Sequence, residues 1–189
     1  QEYHRSHQAV SSNPLNQEIL QSGEVEVVPH KRDQVDRAVE VALRWQERYE
    51  QVANATGIPW ELIAAIHYRE SSFDFGTYLH NGQRLGRRTT IVPRGILFHE
   101  WQPAAEHALT QHNGYYGMPW ADDLAWQAEF AERYNGTGYR SRWLASPYVW
   151  AGTSRYESQW GMFVSDGNFS QSARDPRVWV MPIIMVLRA

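Results

Sequence analysis

A mostly helical domain with a small β-hairpin region is the fold class this sequence predicts, and three observations predict it. Apolar residues recur at helical spacing over 31–54, 59–70, 99–111 and 119–134. Around Asn81-Gly82 the pattern changes to a strand running into a turn, because Asn-Gly favours the left-handed conformations of a tight hairpin. The 189 residues, 42% hydrophobic and 21% charged, are enough for one well-packed core. The expected organisation is an extended N-terminal arm over 1–29 and a single domain over 30–189, acting as a monomer.

Composition removes several classes of function. A formal charge of −3 and the lack of a basic run argue against nucleic acid. The most apolar segment, Val178 to Leu187, falls short of the ~20 residues of a membrane span and contains Pro182. With no cysteine there are no disulfides, thiolate metal sites or cysteine nucleophile. The eight histidines show no His-Glu-x-x-His spacing, so neither a metal nor another cofactor is expected.

In chain order, residues 1–28 hold Ser11-Ser12-Asn13-Pro14 and little periodicity, which reads as the arm. From Lys31 to Asn54 one long helix is expected, with Val35, Ala38, Val39, Ala42, Leu43, Trp45, Tyr49 and Val52 on its apolar side. Gly57 and Pro59 end it and start the next, with Pro59 suited to a first helical position and Glu61 facing the positive dipole end. The strand and turn follow over 73–85, with Thr89 to Val92 as a short partner. Helices are expected over His99–Gln111, with Trp101, Ala105 and Leu109 on one face, and from Pro119 to Tyr134. Between them His112-Asn113-Gly114 echoes His80-Asn81-Gly82 as a reused turn former. Residues 146–167 form a loop-rich wall carrying Tyr148, Tyr156 and Asp166, and Asp175-Pro176 opens a last helix that Pro182 should kink.

The helix expected from Pro59 to Glu70 holds the candidate chemistry. Leu62, Ile63 and Ile66 form its apolar stripe, and Glu70 falls on the same side. Partial burial and the negative end of the helix dipole both disfavour a carboxylate anion, so the Glu70 pKa should rise. A glutamic acid still protonated near neutral pH is what a general acid needs to protonate a leaving oxygen. The plainer alternative is that Glu70 pairs with Arg69 or a distant cation at a helix end.

Ile63-Ala64-Ala65-Ile66, three residues, then Glu70-Ser71-Ser72-Phe73 resembles the catalytic-helix motif of the goose-type lysozyme and soluble lytic transglycosylase superfamily. Ala131-Glu132-Arg133-Tyr134-Asn135-Gly136-Thr137-Gly138 is similar to that superfamily's Tyr-Asn-Gly segment, which lines the glycan cleft opposite the glutamate. The two motifs, in that order, cover the chain from about Gly57 to Tyr148, although the stretch between them matches only in general layout. The resemblance implies a lysozyme-like α+β fold with the small β region as one wall of the cleft. It further implies cleavage of the β-1,4 bond after N-acetylmuramic acid in peptidoglycan, by a phage or bacterial enzyme acting at the cell wall. The Leu79-His80-Asn81-Gly82 run also resembles a turn of these proteins, but Gln83 and Arg84 replace the acidic residue and proline that follow it there. That departure weakens the case for a catalytic acid from the turn.

The resemblance makes Glu70 the general acid and Ser71, His80, Tyr134, Asn135 and Tyr148 candidates for sugar contacts. The plain readings stand beside these: Ser71 as a helix-end cap, Tyr134 as a packing residue, Asn135 as an αL helix terminus. Nine tryptophans and ten tyrosines exceed what such a core needs, and their flat faces suit pyranose rings, two or three of them at most touching sugar. Inverting hydrolysis needs a second carboxylate as base, retaining hydrolysis one as nucleophile. A lytic transglycosylase needs neither, because the sugar's C6 hydroxyl attacks. Asp74 and Asp166 are the candidates, Asp74 being as well suited to capping a turn. A non-catalytic wall-binding or phage structural module is the alternative from another class.

Overall fold

The computed structural model describes residues 13–111, 123–159 and 161–189. The described chain is mostly helical with one small antiparallel sheet. Its helices are α1 (Pro14–Gln21), α2 (Arg32–Arg44), α3 (Gln46–Thr56), α4 (Trp60–Ser71), α5 (Trp101–Thr110), α6 (Leu124–Asn135), α7 (Pro147–Trp150), α8 (Ser154–Glu157) and α9 (Val180–Leu187). Two 3₁₀ turns, Pro29–Lys31 and Arg140–Arg142, and the strands β1 (Met162–Ser165) and β2 (Asn168–Ser170) complete it.

Helix α4 is the axis of the packing. It touches α2, α3, α6 and α9, and Leu62 through His67 are all buried. The expected stripe is therefore a sleeve: a helix apolar all round needs neighbours on every side. One hydrophobic cluster runs from Leu15 on α1 to Ile184 on α9.

Of the extended arm expected over 1–29, residues 1–12 lie outside the described residues, and the rest is not an extended arm. Pro14 opens α1 behind an Asn13 cap whose side chain accepts from the Leu15 amide. Leu15 and Ile19 enter the core, and Val27 forms a β-bridge with Thr153. The polar anchor is ionic. Glu132 accepts from Asn16 Nδ2 at 2.8 Å and Arg140 Nε at 2.8 Å, while Glu129 accepts from the Asn13 amide at 2.7 Å and Arg133 Nε at 2.7 Å. Eight residues of one amphipathic turn pair gave too short a pattern to announce a helix whose partners lie more than a hundred residues away.

The expected single helix over 31–54 is two. Trp45 (φ −106°, ψ 14°) separates α2 from α3, and its ring meets Phe75 edge-on at 5.4 Å. The break lets Tyr49 and Val52 face the core while leaving Leu43 51% exposed. No glycine or proline marks it, so periodicity ran straight through.

The turn expected at Asn81-Gly82 forms, with Gly82 left-handed (φ +80°), Thr77 bridging Arg84 and the Tyr78 amide donating to Gln83 O at 2.7 Å. It stops at that single bridge, however, and Thr89 to Val92 adds no strand. The buried Tyr78 ties the rest of the segment to it, its hydroxyl donating to Arg87 O and accepting from the Phe98 amide, both at 2.8 Å. The sheet is β1–β2, with Met162 opposite Ser170 and Phe163 opposite Phe169. Gly167 (φ +73°) supplies the left-handed turn residue between them. At the C-terminus Asp175-Pro176 makes a turn rather than a cap: Asp175 accepts from the Arg177 amide at 3.0 Å and from Trp179 Nε1. Helix α9 starts five residues later, at Val180. Pro182 then falls in its first turn, where no intrahelical N–H is needed, so the expected kink has no cause. The start expected at Pro119, the His112-Asn113-Gly114 turn, and Trp120 and Trp160 lie outside the described residues.

Candidate active site

Glu70 sits in the last turn of α4. The helix stops there because Ser72 (φ +52°) and Phe73 (φ +66°) are both left-handed, a costly conformation for non-glycine residues that its surroundings must hold. The support comes from behind. His67 is fully buried; its Nε2 lies 3.0 Å from the Asp74 carbonyl and its Nδ1 2.7 Å from the Tyr49 hydroxyl. Since the carbonyl can only accept, Nε2 carries the proton and Nδ1 accepts from Tyr49. Burial lowers the His67 pKa to about 4, so the ring is neutral at neutral pH.

The Glu70 carboxyl is half-buried and among the described residues accepts one hydrogen bond, from the Tyr148 hydroxyl at 2.7 Å. Burial raises its pKa, with the Tyr148 bond and the Arg69 charge pulling the other way. Tyr148, on α7, is itself driven well above a free phenol by burial and by the Glu70 charge, and so remains a donor. Tyr134, near the end of α6, is raised for the same two reasons; its hydroxyl donates to Leu79 O at 2.9 Å.

Two hollows meet at this point. One, about 410 Å³, is lined by Glu70, His80, His107, Tyr134 and Asn135, with Pro93, Ala108 and Gln111 at its edge. The other, about 380 Å³, is bounded by Arg69, Tyr139, Tyr148 and the β1–β2 hairpin. Asn135 lines both, and the Glu70–Tyr148 hydrogen bond links a wall of one to a wall of the other. The two open hollows, each lined by polar and apolar surface in similar measure, flank a protonatable acid, a shape suited to an extended chain rather than a compact ligand.

Four of the candidate residues, Glu70, His80, Tyr134 and Asn135, share the first hollow, and Tyr148 reaches it through its bond to Glu70. His80 Nε2 pairs with His107 Nδ1 at 2.8 Å, and burial, with the neighbouring His107, lowers the His80 pKa to about 4. Asn135 is the last residue of α6; the break in conformation falls on Gly136 (φ +135°, ψ 150°), so Asn135 is not an αL terminus. Ser71 makes only long contacts, 3.4 Å, to His67 O and Asp74 O, as a helix-end hydroxyl does. Asp74 caps its turn through the Gly76 amide at 2.8 Å and pairs with Arg84 at 3.3 Å. It lines neither hollow, so its carboxylate serves the turn and not the Glu70 site. Asp166 lines the second hollow from the exposed turn of the hairpin.

Sequence reasoning missed His107, Arg69, Tyr139 and Phe163 as lining residues. His107 follows Ala104 by three on α5, a spacing that signals a shared face; the hairpin's position would have brought in Phe163. Among the described residues no group of three or more His, Cys, Asp or Glu could hold a metal ion, and no helix is long and apolar enough to cross a membrane. No protein family, curated protein or solved structure matches this chain.

Proposed function

We propose that this protein is a lysozyme-like peptidoglycan-cleaving enzyme in which Glu70 is the general acid. The observation that carries the reading is the Glu70–Tyr148 pair: one carboxyl of raised pKa with, among the described residues, a single neutral donor, beside two open hollows. Tyr134 and Asn135 border the first hollow, in keeping with a role in holding the sugar beside the acid. The enzyme would act on the glycan strands of the bacterial cell wall.

Among the described residues Glu70 is the single carboxylate lining the first hollow, which supports the transglycosylase course over hydrolysis. Glu70 gives its proton to the bridging oxygen as the bond from C1 of N-acetylmuramic acid breaks. The Glu70 carboxylate then takes the proton of the C6 hydroxyl as O6 closes on C1, leaving a 1,6-anhydro end and a reprotonated acid, with no water consumed. Neutral Tyr148 holds the carboxyl in place through both steps.

The test is turbidity loss of cell-wall suspensions by the protein and by its Glu70→Gln variant, with mass spectrometry of the soluble products. Lysis should fall by ~10²–10⁴-fold in the variant, and anhydro ends should appear with the unsubstituted protein. Undiminished lysis by Glu70→Gln overturns the assignment; saturable glycan binding without released fragments makes the protein a wall-binding module instead.

A further inference from the structure

Arg69 is a cation without an anion. Among the described residues its guanidinium makes no hydrogen bond and no ion pair, and its Nε is buried without a partner. Arg133 and Arg140 pair with Glu129 and Glu132, and Arg174 pairs with Glu157. Arg48, also partly buried and stacked on Phe75 at 3.9 Å, shares the lack of an ion pair among the described residues, as does Arg155, but only Arg69 of these three has a buried Nε without a partner. What holds Arg69 is aromatic. Its guanidinium lies 3.8 Å from the Trp179 ring centroid and 5.2 Å from that of Tyr148, and the carbonyl end of α4 adds a favourable dipole.

Stacking engages the faces of a guanidinium and leaves its edge, where the N–H donors lie, free. Arg69 lines the hollow of about 380 Å³ beneath the β1–β2 hairpin, and its terminal nitrogens, unlike Nε, are neither buried nor bonded among the described residues. Such a fork, fixed by rings before any ligand arrives, matches the two oxygens of a carboxylate. The hollow's own carboxylates do not fill it. Asp175 is occupied by Trp179 Nε1 and by the Arg177 amide, and Asp166 stands exposed at the hairpin turn. Their negative charges along the same wall disfavour a dianion such as phosphate and leave a monoanion as the better fit.

We propose that the hollow between Arg69 and the β1–β2 hairpin is a subsite for a carboxylate on the ligand, received by the free edge of the Arg69 guanidinium. This rests on the reading of Glu70 as the acid that cleaves wall glycan. The carboxylate then belongs either to the lactyl ether of the muramic sugar or to the peptide attached there. Occupation has a consequence next door: Arg69 lowers the Glu70 pKa while unpaired, so a bound anion would cancel that pull and favour the protonated acid when substrate is in place.

The test is calorimetric titration of the Glu70→Gln protein, which does not consume its ligand, with a peptide-free muramic-acid glycan, the same glycan with its carboxyl groups reduced to alcohols, and a peptide-bearing glycan. The acidic glycan should bind roughly tenfold tighter than the reduced one, the order expected of a charged hydrogen-bonded pair. That preference should vanish in Glu70→Gln/Arg69→Gln and partly survive in Glu70→Gln/Arg69→Lys. Preference for the peptide-free glycan over the peptide-bearing one assigns the lactyl carboxylate; the reverse assigns the peptide. Equal binding of all three glycans, no binding of any, or a preference for a carboxylate-bearing glycan that survives Arg69→Gln overturns the subsite. The ligand comparison needs no Arg69 variant, so a misfolded substitution does not shield the proposal. Lysis assays run in parallel keep the two claims apart: lost lysis in Glu70→Gln with no acid preference retires the subsite alone.

Discussion

Two helices carry carboxylates away from bulk water and treat them in opposite ways. On α6, Glu129 and Glu132 are each almost fully buried, and each is met by more than one donor, at least one of them an arginine. Burial works against the Arg140 cation, yet its bonds to Glu132 and Glu129 more than offset that and raise its pKa. On α4, Glu70 is less buried and among the described residues has one neutral donor, Tyr148. The difference teaches that burial alone does not make an acid: donors decide whether a carboxylate becomes a permanent anion that fastens helices or a group free to hold a proton.

The largest way to break this contrast is to exchange the two losses. Glu132→Ala leaves Arg140, Asn13 and Asn16 facing an empty site and should cost roughly 3–5 kcal/mol in a denaturant melt. Glu70→Gln should abolish lysis instead and cost no stability at pH 7. The sign follows from the raised pKa: the native state prefers the protonated form, so Glu70 stabilises below its unfolded value near 4.5 and loses that contribution as pH rises. A neutral glutamine keeps the Tyr148 bond, so its melting temperature should equal or exceed the parent's at pH 7, and the gap should close below about 4.5. A large destabilisation by Glu70→Gln would show that this site, too, is structural.

Next in size are the histidines. His67 and His80, about 6.5 when unfolded and about 4 when folded, bind protons more readily in the unfolded chain, so stability should fall as pH drops between those values. His67→Gln should flatten that slope; an unchanged slope places the acid sensitivity elsewhere. Smaller still is Tyr148→Phe. The lost hydroxyl favoured the ionised Glu70, so its pKa should rise and the alkaline limb of kcat/KM should move to higher pH. A limb that moves down, or stays, would remove Tyr148 from the titration of the acid. Asp74→Asn should change lysis least, within a few-fold, because its carboxylate serves a turn and an exposed Arg84.

The parts of the fold written in local spacing were readable. Helices α4 and α5 lie within two residues of where their apolar repeats put them, and the end of α6 likewise. The elements misjudged were those decided by distant partners. Helix α1 depends on Glu129, Glu132 and Trp150 for its polar contacts. The break at Trp45 has no breaker residue, and the β-sheet formed at Asp166-Gly167, a hairpin signal as good as the Asn81-Gly82 that was preferred. In the site, Glu70 was legible because burial and helix position followed from periodicity. Its bond to Tyr148, 78 residues away, and the free edge of Arg69 belong to tertiary packing and leave no trace in spacing.

The fastening of α1 sets where this chain can be shortened or joined to something else. A boundary drawn at residue 30, where the long periodic region begins, would cut away both asparagines that quench Glu132, the amide that meets Glu129, and the Val27 partner of Thr153. What remained would carry two arginine-bound carboxylates open to water beside α7, the helix from which Tyr148 reaches Glu70. A fusion or trimmed version that keeps residue 13 onward retains each of these contacts.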